Sequence, residues 1–375
     1  MIGLPYMAER VFNTPNYVLR KGQLEAARHA GKNVILVGEC GSGKTEAAYF
    51  WLRKSQKRAI YIMPRRVLAT QTQERLNAYD KRIYGYPRWS VQHSSAREDE
   101  QFASSHVVTT IDQVSAKYLA LGRFDAIGGS RVMQSDLIID EVQLMEGNKT
   151  LQLLIQMLEQ TTKLGNHFML MTATIPNSFI NFFQEHFGCE VIRVSETIHT
   201  QQENILHLSE DYPMADINYY NKKQIIIANT QKEQAEILAH ITDKSRVILL
   251  NSYLLPSERK DREADAYHYF GKNTPENNKI LLSTQIIEAG MDISAGRMIT
   301  SLAPIDSLVQ RAGRLNRWGG KGDYIVVLNA FTRIYDDELM TLTVKALKKL
   351  DGLHFDWERH LDAVSEVWMG TTATF

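Results

Sequence analysis

A glycine-rich loop between an apolar run and a helical segment constrains the fold of this chain more than any other stretch. Residues 34–37 read VILV, residues 38–45 read GECGSGKT, and residues 46–52 read EAAYFWL. Glycines let backbone N–H groups curl around an anion, and the following helix adds the positive end of its dipole. The pattern predicts a strand, a phosphate-binding loop and a helix, in which Lys44 reaches nucleotide phosphates and Thr45 offers its hydroxyl to Mg²⁺. The loop residues predicted to bind nucleotide are Gly38, Cys40, Gly41, Ser42, Gly43, Lys44 and Thr45.

Length and composition suit two domains and a tail. The chain has 375 residues, which is long for one core, and its 44% hydrophobic and 23% charged residues are typical of soluble globular proteins. No apolar run approaches the length that crosses a bilayer, and residues 1–10 lack the pattern of a signal peptide. Two cysteines, Cys40 and Cys189, indicate neither a metal cluster nor a disulfide framework. We therefore expect a cytoplasmic protein with no membrane contact.

Cys40 in the loop and Gln23 before it each have two possible roles. Gln23, in a predicted helix that runs to Ala30, either binds the edge of an adenine through its paired donor and acceptor or is a solvated helix residue. Cys40 is either a thiol of lowered pKa that bound phosphate would cover or a small residue that fills the loop.

A second acidic motif supplies what a phosphate loop needs for hydrolysis. The apolar strand at 136–139 is followed by Asp140 and Glu141. In this class of site, Asp140 would hold Mg²⁺ through water, and Glu141 would orient and deprotonate the attacking water. A further strand at 167–171 leads into Thr172 and Thr174, which alone would pass as a turn.

Polar residues follow other predicted strands of the first domain. Arg65 and Arg66 follow a strand at 58–64 and are plausible ligands of a phosphate backbone. Thr109 and Thr110 end another strand and either bind a phosphate or cap the next helix. Because Lys plus Arg and Asp plus Glu both total 43, any nucleic acid must be held by local patches.

Around residue 200 a second series of apolar strands begins, which predicts a second α/β domain. It includes strands at 246–252 and 279–284, and a predicted helix at 306–317 that carries Arg314 and Arg317 on one face. With no acidic neighbour within a turn, these arginines would need an external anion such as a γ-phosphate. Residues 334–353 predict one amphipathic helix.

The whole motif series resembles superfamily 2 helicases, and more narrowly the helicase portion of the type I CRISPR-associated helicase-nuclease. The narrower likeness rests on TIDQ at 110–113, TQIIEAGMD at 284–292 and QRAGRLNR at 310–317. It implies an α/β fold of two tandem RecA-like P-loop NTPase domains with mostly parallel sheets, which face each other across an ATP cleft, plus a short helical tail. We expect the first domain at 1–198, the second at 199–331 and the tail at 332–375. It also implies 3′ to 5′ translocation on single-stranded DNA.

The resemblance also implies residue roles. Lys44 and Thr45 would bind phosphate and Mg²⁺, and Asp140 and Glu141 would be the metal and water residues. The further residues at the nucleotide are Gln310 on the γ-phosphate or the attacking water, Arg314 and Arg317 as arginine fingers, and Asp292 near the ribose. Thr172 and Thr174, with Gln143 of the acidic motif, would couple the ATP site to DNA. The positions along the DNA track are Arg65, Thr109, Ser252 and Thr284, and we add Arg66 and Thr110.

Two departures from the family pattern matter. Gln143 stands where the family usually has His, and its amide can donate and accept hydrogen bonds but cannot titrate. The family's nuclease domain is marked by a His-Asp pair, yet none of the 11 histidines here is followed by Asp. We therefore expect an ATP-dependent DNA translocase or helicase that works with a guide-RNA surveillance complex and a separate nuclease subunit. The alternatives are a DExH-type RNA helicase and an ATP-binding assembly subunit with low turnover.

Overall fold

A computed structural model describes residues 3–39, 41–54, 58–94, 96–122, 125–144, 148–194, 202–288, 291–330, 334–354 and 357–370. These residues fall into two compact units that divide after Glu196. Cys40, a predicted nucleotide-binding residue, lies outside the described residues.

The first unit contains eight strands and eight helices among its described residues. The strands are β1 (Val34–Gly38), β2 (Arg58–Met63), β3 (Trp89–His93), β4 (Ala96–Arg97), β5 (His106–Thr110), β6 (Ser135–Ile139), β7 (Phe168–Thr172) and β8 (Glu190–Val194). The helices are α1 (Leu4–Phe12), α2 (Lys21–Arg28), α3 (Lys44–Trp51), α4 (Arg66–Tyr84), α5 (Ile111–Tyr118), α6 (Asp125–Met133), α7 (Asn148–Lys163) and α8 (Asn177–Phe187).

The sheet of the first unit has the order β4-β3-β5-β2-β6-β7-β1-β8, and the β3–β4 pair is its antiparallel one. Strands β1, β6 and β7 are buried along their whole length, as expected of continuous apolar runs in a parallel sheet. Because β2, β6, β7 and β1 are neighbours and parallel, their carboxyl ends meet at one edge. That edge carries the glycine loop and the acidic motif side by side.

The second unit contains six strands and six helices among its described residues. The strands are β9 (Gln202–Ser209), β10 (Gln224–Ile227), β11 (Val247–Leu250), β12 (Ile280–Ser283), β13 (Arg297–Ser301) and β14 (Gly320–Val327). The helices are α9 (Met214–Tyr219), α10 (Gln231–His240), α11 (Pro256–Phe270), α12 (Ile305–Ala312), α13 (Asp337–Leu350) and α14 (Trp357–Gly370).

The sheet of the second unit has the order β11-β12-β10-β13-β14-β9, and its strand pairs are parallel. The two α/β units and their mostly parallel sheets match the predicted architecture. None of the described helices combines the length and the apolar character that a membrane span requires.

Two predicted helices are wrong in their extent. The helix expected at 306–317 ends at Ala312, and Gly313 is its C-terminal cap. Leu315 is fully buried and forms a parallel bridge with Ala295, so it cannot continue the helix. The tail expected as one helix contains two, α13 and α14. Helix α13 begins where Asp336 caps the N–H of Leu339, and Gly352, with a φ of 73°, follows its end.

Candidate active site

The glycine loop joins β1 to α3 as the sequence predicts, and Gly41 and Gly43 have the left-handed backbone conformation that favours glycine. A Cβ at Gly38 would lie 2.7 Å from the hydroxyl oxygen of Ser42, and Gly43 has a left-handed φ of 86°. Within the loop, the ammonium of Lys44 donates to the carbonyl oxygens of Gly38 and Glu39 at 2.7 and 3.4 Å. The positive charge of Lys44 therefore lies over the loop.

Gln23 of α2 lies against this loop. Its side chain is 1% exposed, and a Cβ at Gly43 would lie 2.8 Å from its Nε2. The Oε1 atom accepts the N–H of Arg20 at 3.2 Å, whereas the buried Nε2 has no partner among the described residues. The solvated alternative for Gln23 is therefore wrong, and contact with an adenine remains a prediction.

The acidic motif follows β6 at the same sheet edge. Asp140 is buried, its Oδ1 accepts the N–H of Glu141 at 3.0 Å, and its Oδ2 accepts the hydroxyl of Tyr61 at 3.0 Å. Burial and the adjacent charge of Glu141 raise the pKa of Asp140 well above its ordinary value, and Lys44 opposes them. Sequence reasoning misses Tyr61, although a hydroxyl inside a buried apolar strand signals that a partner must be found.

The residues at this edge fit Mg²⁺. Thr45 and Asp140 both offer oxygen ligands, the type that Mg²⁺ prefers, and Tyr61 lies beside Thr45 and donates a hydrogen bond to Asp140. A divalent cation beside Asp140 would also stabilise its buried charge, which burial alone disfavours. The donor set and its electrostatics thus agree with the predicted roles of Thr45 and Asp140.

A chain of hydrogen bonds leads from Glu141 to the end of β7. The Nε2 of Gln143 donates to Glu141 Oε2 at 2.6 Å, and the hydroxyl of Thr172 donates to Gln143 Oε1 at 2.5 Å. The same hydroxyl lies 2.6 Å from the carbonyl oxygen of Thr174 and accepts the Thr174 N–H at 3.0 Å. A carboxylate only accepts hydrogen bonds, so the Gln143 amide has one orientation. The structure therefore brings the predicted coupling residues together.

The arginines of the second unit have partners inside that unit. Arg317 pairs with Asp292 at 2.6 Å, and Arg314 donates to the carbonyl oxygens of Ile287 and Glu288 at 3.3 and 2.9 Å. The expectation that both arginines lie on one face of a helix at 306–317 is wrong, because α12 ends at Ala312, before both of them. Their predicted role as arginine fingers stays a prediction. Both lie after the carboxyl end of α12.

Two further residues of α12 are buried. Gln310 is 2% exposed, and its Nε2 has no partner among the described residues. Arg311 is fully buried, and it donates to Glu288 Oε1 at 2.8 Å and to Thr300 Oγ1 at 2.6 Å. Sequence reasoning gives Arg311 no role. Removing one partner of a buried ion pair costs about 3–5 kcal/mol, so loss of Arg311 alone would destabilise the unit by leaving Glu288 buried and unpaired.

The predicted DNA contacts divide by exposure. Arg66 and Ser252 are exposed, and Arg65 is half-buried. Thr109 is fully buried and its hydroxyl donates to the carbonyl oxygen of Gln92 at 2.7 Å, so it faces no external phosphate in this conformation. Thr110 is the buried N-cap residue of α5, but its side chain makes no capping hydrogen bond among the described residues. Thr284, also largely buried, follows β12 as Ser252 follows the neighbouring β11.

Comparison with known families agrees with this arrangement. Residues 20–182 match the family described as DEAD/DEAH box helicase. Residues 220–319 match the family described as CRISPR-associated nuclease/helicase Cas3, C-terminal. The first match contains Lys44, Asp140 and Glu141, and the second contains Gln310 and Arg314.

Individual relatives match most of the chain. The CRISPR-associated nuclease/helicase Cas3 of Methanothermobacter thermautotrophicus is 26% identical in an alignment 389 residues long. The alignment covers 90% of this chain and 46% of that protein. The CRISPR-associated helicase Cas3 of Thermoproteus tenax is 26% identical in an alignment 366 residues long. The alignment covers 89% of this chain and 63% of that protein. The chain thus spans about half of the first relative and under two thirds of the second.

A solved structure shows the same fold. The crystal structure of T. fusca Cas3 with AMPPNP has a TM-score of 0.78 at 18% identity, and the match covers 98% of this chain and 53% of that one. The fold of two RecA-like domains and the resemblance to the helicase portion of Cas3 are therefore confirmed.

Proposed function

We propose that this chain, which is similar to the helicase portion of Cas3, is an ATP-dependent motor that moves 3′ to 5′ along single-stranded DNA in a CRISPR interference system. The observation that carries the proposal is the hydrogen-bond chain from Glu141 through Gln143 to Thr172. A protein that only bound ATP would need the phosphate loop but no link from the hydrolytic carboxylate to a neighbouring strand. A motor needs that link, because hydrolysis must move other parts of the protein.

In the proposed cycle, the loop N–H groups and Lys44 bind the phosphates of ATP, and Gln23 binds the adenine edge. Mg²⁺, held by Thr45 and Asp140, would neutralise phosphate charge. Glu141 orients and deprotonates the attacking water. The half-buried carboxylate of Glu141 is held by Gln143, so its geometry is preorganised before ATP arrives.

DNA binding is proposed for polar side chains near strand ends. Arg65 and Arg66 at the start of α4 would contact phosphates in the first unit, and Ser252 and Thr284 would do so in the second. Because the formal net charge is +0, binding depends on these local contacts and should weaken as salt rises. We propose that a guide-RNA surveillance complex presents the strand, that a separate nuclease subunit cuts it, and that the system is cytoplasmic.

The first prediction concerns which nucleic acid stimulates hydrolysis. With Mg²⁺ present, single-stranded DNA should raise the ATPase rate of the purified chain, and duplex DNA and RNA should raise it much less. The measurement is phosphate release with each polymer at equal nucleotide concentration and low salt.

Two results would contradict the proposal. Stimulation by RNA above that by DNA would make the chain a DExH-type RNA helicase. A low rate that no polymer changes, with tight ATP binding, would make it an ATP-binding assembly subunit.

The second prediction concerns coupling through Gln143. Gln143→Ala should lower the DNA-stimulated rate by about 10-fold, since a hydrogen bond to a charged group contributes about 1.5–3 kcal/mol. Thr172→Val should lower it to a similar extent, because the Thr172 hydroxyl holds the Gln143 amide that makes this bond. If the hydrogen bonds from Glu141 to Thr172 act as a unit, the double variant should lose little more of the rate than either single variant. The measurement is a double-mutant cycle on the stimulated and basal rates.

Additive losses in this cycle would show that Gln143 and Thr172 act separately. Thr161→Val is the control, because its buried hydroxyl donates to the Met157 carbonyl within α7 at 2.8 Å, away from the acidic motif. It should leave both rates at the parental value.

A further inference from the structure

Tyr61 of β2 is fully buried, yet its hydroxyl lies between two residues of the candidate metal site. It donates to Asp140 Oδ2 at 3.0 Å, and the Thr45 side chain lies beside it. These two partners come from different parts of the chain, since Thr45 opens α3 and Asp140 follows β6. One phenol hydroxyl therefore connects the glycine loop to the acidic motif.

The chemistry of the three groups sets the direction of the hydrogen bonds. An ionised carboxylate only accepts, so the single hydroxyl proton of Tyr61 goes to Asp140. The phenol oxygen is then free to accept the hydroxyl proton of Thr45. The resulting order is Thr45 to Tyr61 to Asp140, and it leaves the lone pairs of the Thr45 oxygen available to a cation.

The sheet holds this hydroxyl in place. Strands β2 and β6 pair in parallel with Tyr61 opposite Ile138, and the N–H of Asp140 donates to the Ile62 carbonyl at 2.9 Å. The Tyr61 ring packs in the core with its centroid 6.5 Å from that of Trp89. A tyrosine ring has only two side-chain torsions, so packing of the ring fixes the position of its hydroxyl.

Asp140 is consequently held at both carboxylate oxygens. Its Oδ1 accepts the N–H of Glu141, and its Oδ2 accepts Tyr61. Without the Tyr61 hydroxyl, the carboxylate would keep one of these bonds, and Thr45 would lose its link to the acidic motif.

We propose that Tyr61 is a positioning residue for Mg²⁺, which holds the Thr45 hydroxyl and the Asp140 carboxylate in one geometry before the metal nucleotide binds. The inference rests on the proposed function, because it takes Thr45 and Asp140 as the metal residues. Groups that orient metal ligands typically contribute about 10–100-fold to metal affinity. Tyr61 contributes through its hydroxyl, and its ring contributes to the core.

The test compares Tyr61→Phe with Tyr49→Phe. Tyr49 lies in the same core, is also buried, and donates its hydroxyl to the carboxylate of Asp80 at 2.6 Å. Each variant therefore removes one hydroxyl bonded to one buried carboxylate, but only Tyr61 touches the candidate metal residues. Similar shifts of the unfolding midpoint in both variants would show that the structural cost is matched.

The measurement is the binding of a fluorescent ATP analogue over a Mg²⁺ titration, and again with EDTA, so no hydrolysis is needed. Tyr61→Phe should raise the Mg²⁺ concentration for half-maximal binding about 10-fold or more, and leave binding in EDTA unchanged. Tyr49→Phe should match the parental chain both in the Mg²⁺ concentration for half-maximal binding and in its binding in EDTA.

Two results with the variants would overturn the role of Tyr61 and leave the proposed function in place. One is that Tyr61→Phe needs the same Mg²⁺ concentration for half-maximal binding as the parental chain, and the other is that Tyr49→Phe raises this concentration as much as Tyr61→Phe does. Nucleotide binding by the parental chain that does not depend on Mg²⁺ would overturn the role of Tyr61 alone, because hydrolysis can still require the metal. An ATPase rate that DNA does not change would overturn the proposed motor alone.

Discussion

In the Glu141→Gln variant, ATP turnover should fall by about 10²- to 10⁴-fold, the usual contribution of a positioned acid or base, while ATP binding is retained. The amide of glutamine cannot deprotonate water, but its oxygen can still accept the Gln143 hydrogen bond that Glu141 accepts at 2.6 Å. Glu141 also has a left-handed φ of 50°, which glutamine adopts at the same cost. The change therefore removes the base and preserves the local structure.

The measurement pairs steady-state phosphate release with equilibrium binding of an ATP analogue. Lys44→Ala, in the glycine loop, is the comparison. It should weaken ATP binding itself, because it removes the charge that lies over the loop. Hydrolysis by Glu141→Gln at the parental rate would show that another group activates the water.

The features that the sequence predicts well are local. The glycine loop follows from the need of a tight phosphate cradle for residues without a Cβ, and the left-handed φ of 86° at Gly41 and Gly43 shows that need directly. The acidic motif follows a buried apolar strand, and parallel strands present their carboxyl ends at one edge. Thus Lys44 and Asp140, far apart along the chain, can be assigned to one sheet edge from the sequence alone.

The contacts that sequence reasoning misses depend on strand order. Tyr61 meets Asp140 because β2 is the neighbour of β6, and no local pattern in either strand specifies that pairing. Gln23 is buried against the glycine loop because α2 packs on α3, although its own helix segment reads as polar. Such positions are decided by tertiary packing, which a single sequence shows only indirectly.

The error at residues 306–317 has a tertiary cause as well. Leu315 continues the apolar spacing of α12, but it is buried through a bridge to Ala295 rather than on a helix face. The neighbouring polar side chains consequently turn toward the segment after β12. The expectation that Arg314 and Arg317 share one helix face was wrong for this reason, and the two side chains have different partners.

Arg314→Ala should lower ATP turnover by about 10³- to 10⁵-fold, the contribution of an arginine finger, with a much smaller effect on ATP affinity. The guanidinium of Arg314 is held by the carbonyl oxygens of Ile287 and Glu288, and no carboxylate among the described residues pairs with it. Its charge is therefore positioned but not neutralised. Arg317, in contrast, pairs with Asp292 at 2.6 Å, so Arg317→Ala should cost less turnover.

Because Arg314 is buried, the variant could also lose stability, and Arg314→Lys separates the two effects. Lysine keeps the positive charge but lacks the planar fork that bonds both carbonyls, so Arg314→Lys should share the unfolding midpoint of Arg314→Ala yet recover part of its turnover. The measurements are kcat at saturating ATP, analogue affinity and thermal unfolding for each variant. A loss confined to affinity, or a larger kcat loss in Arg317→Ala than in Arg314→Ala, would assign the phosphate role elsewhere and leave Arg314 as a support for the segment after β12.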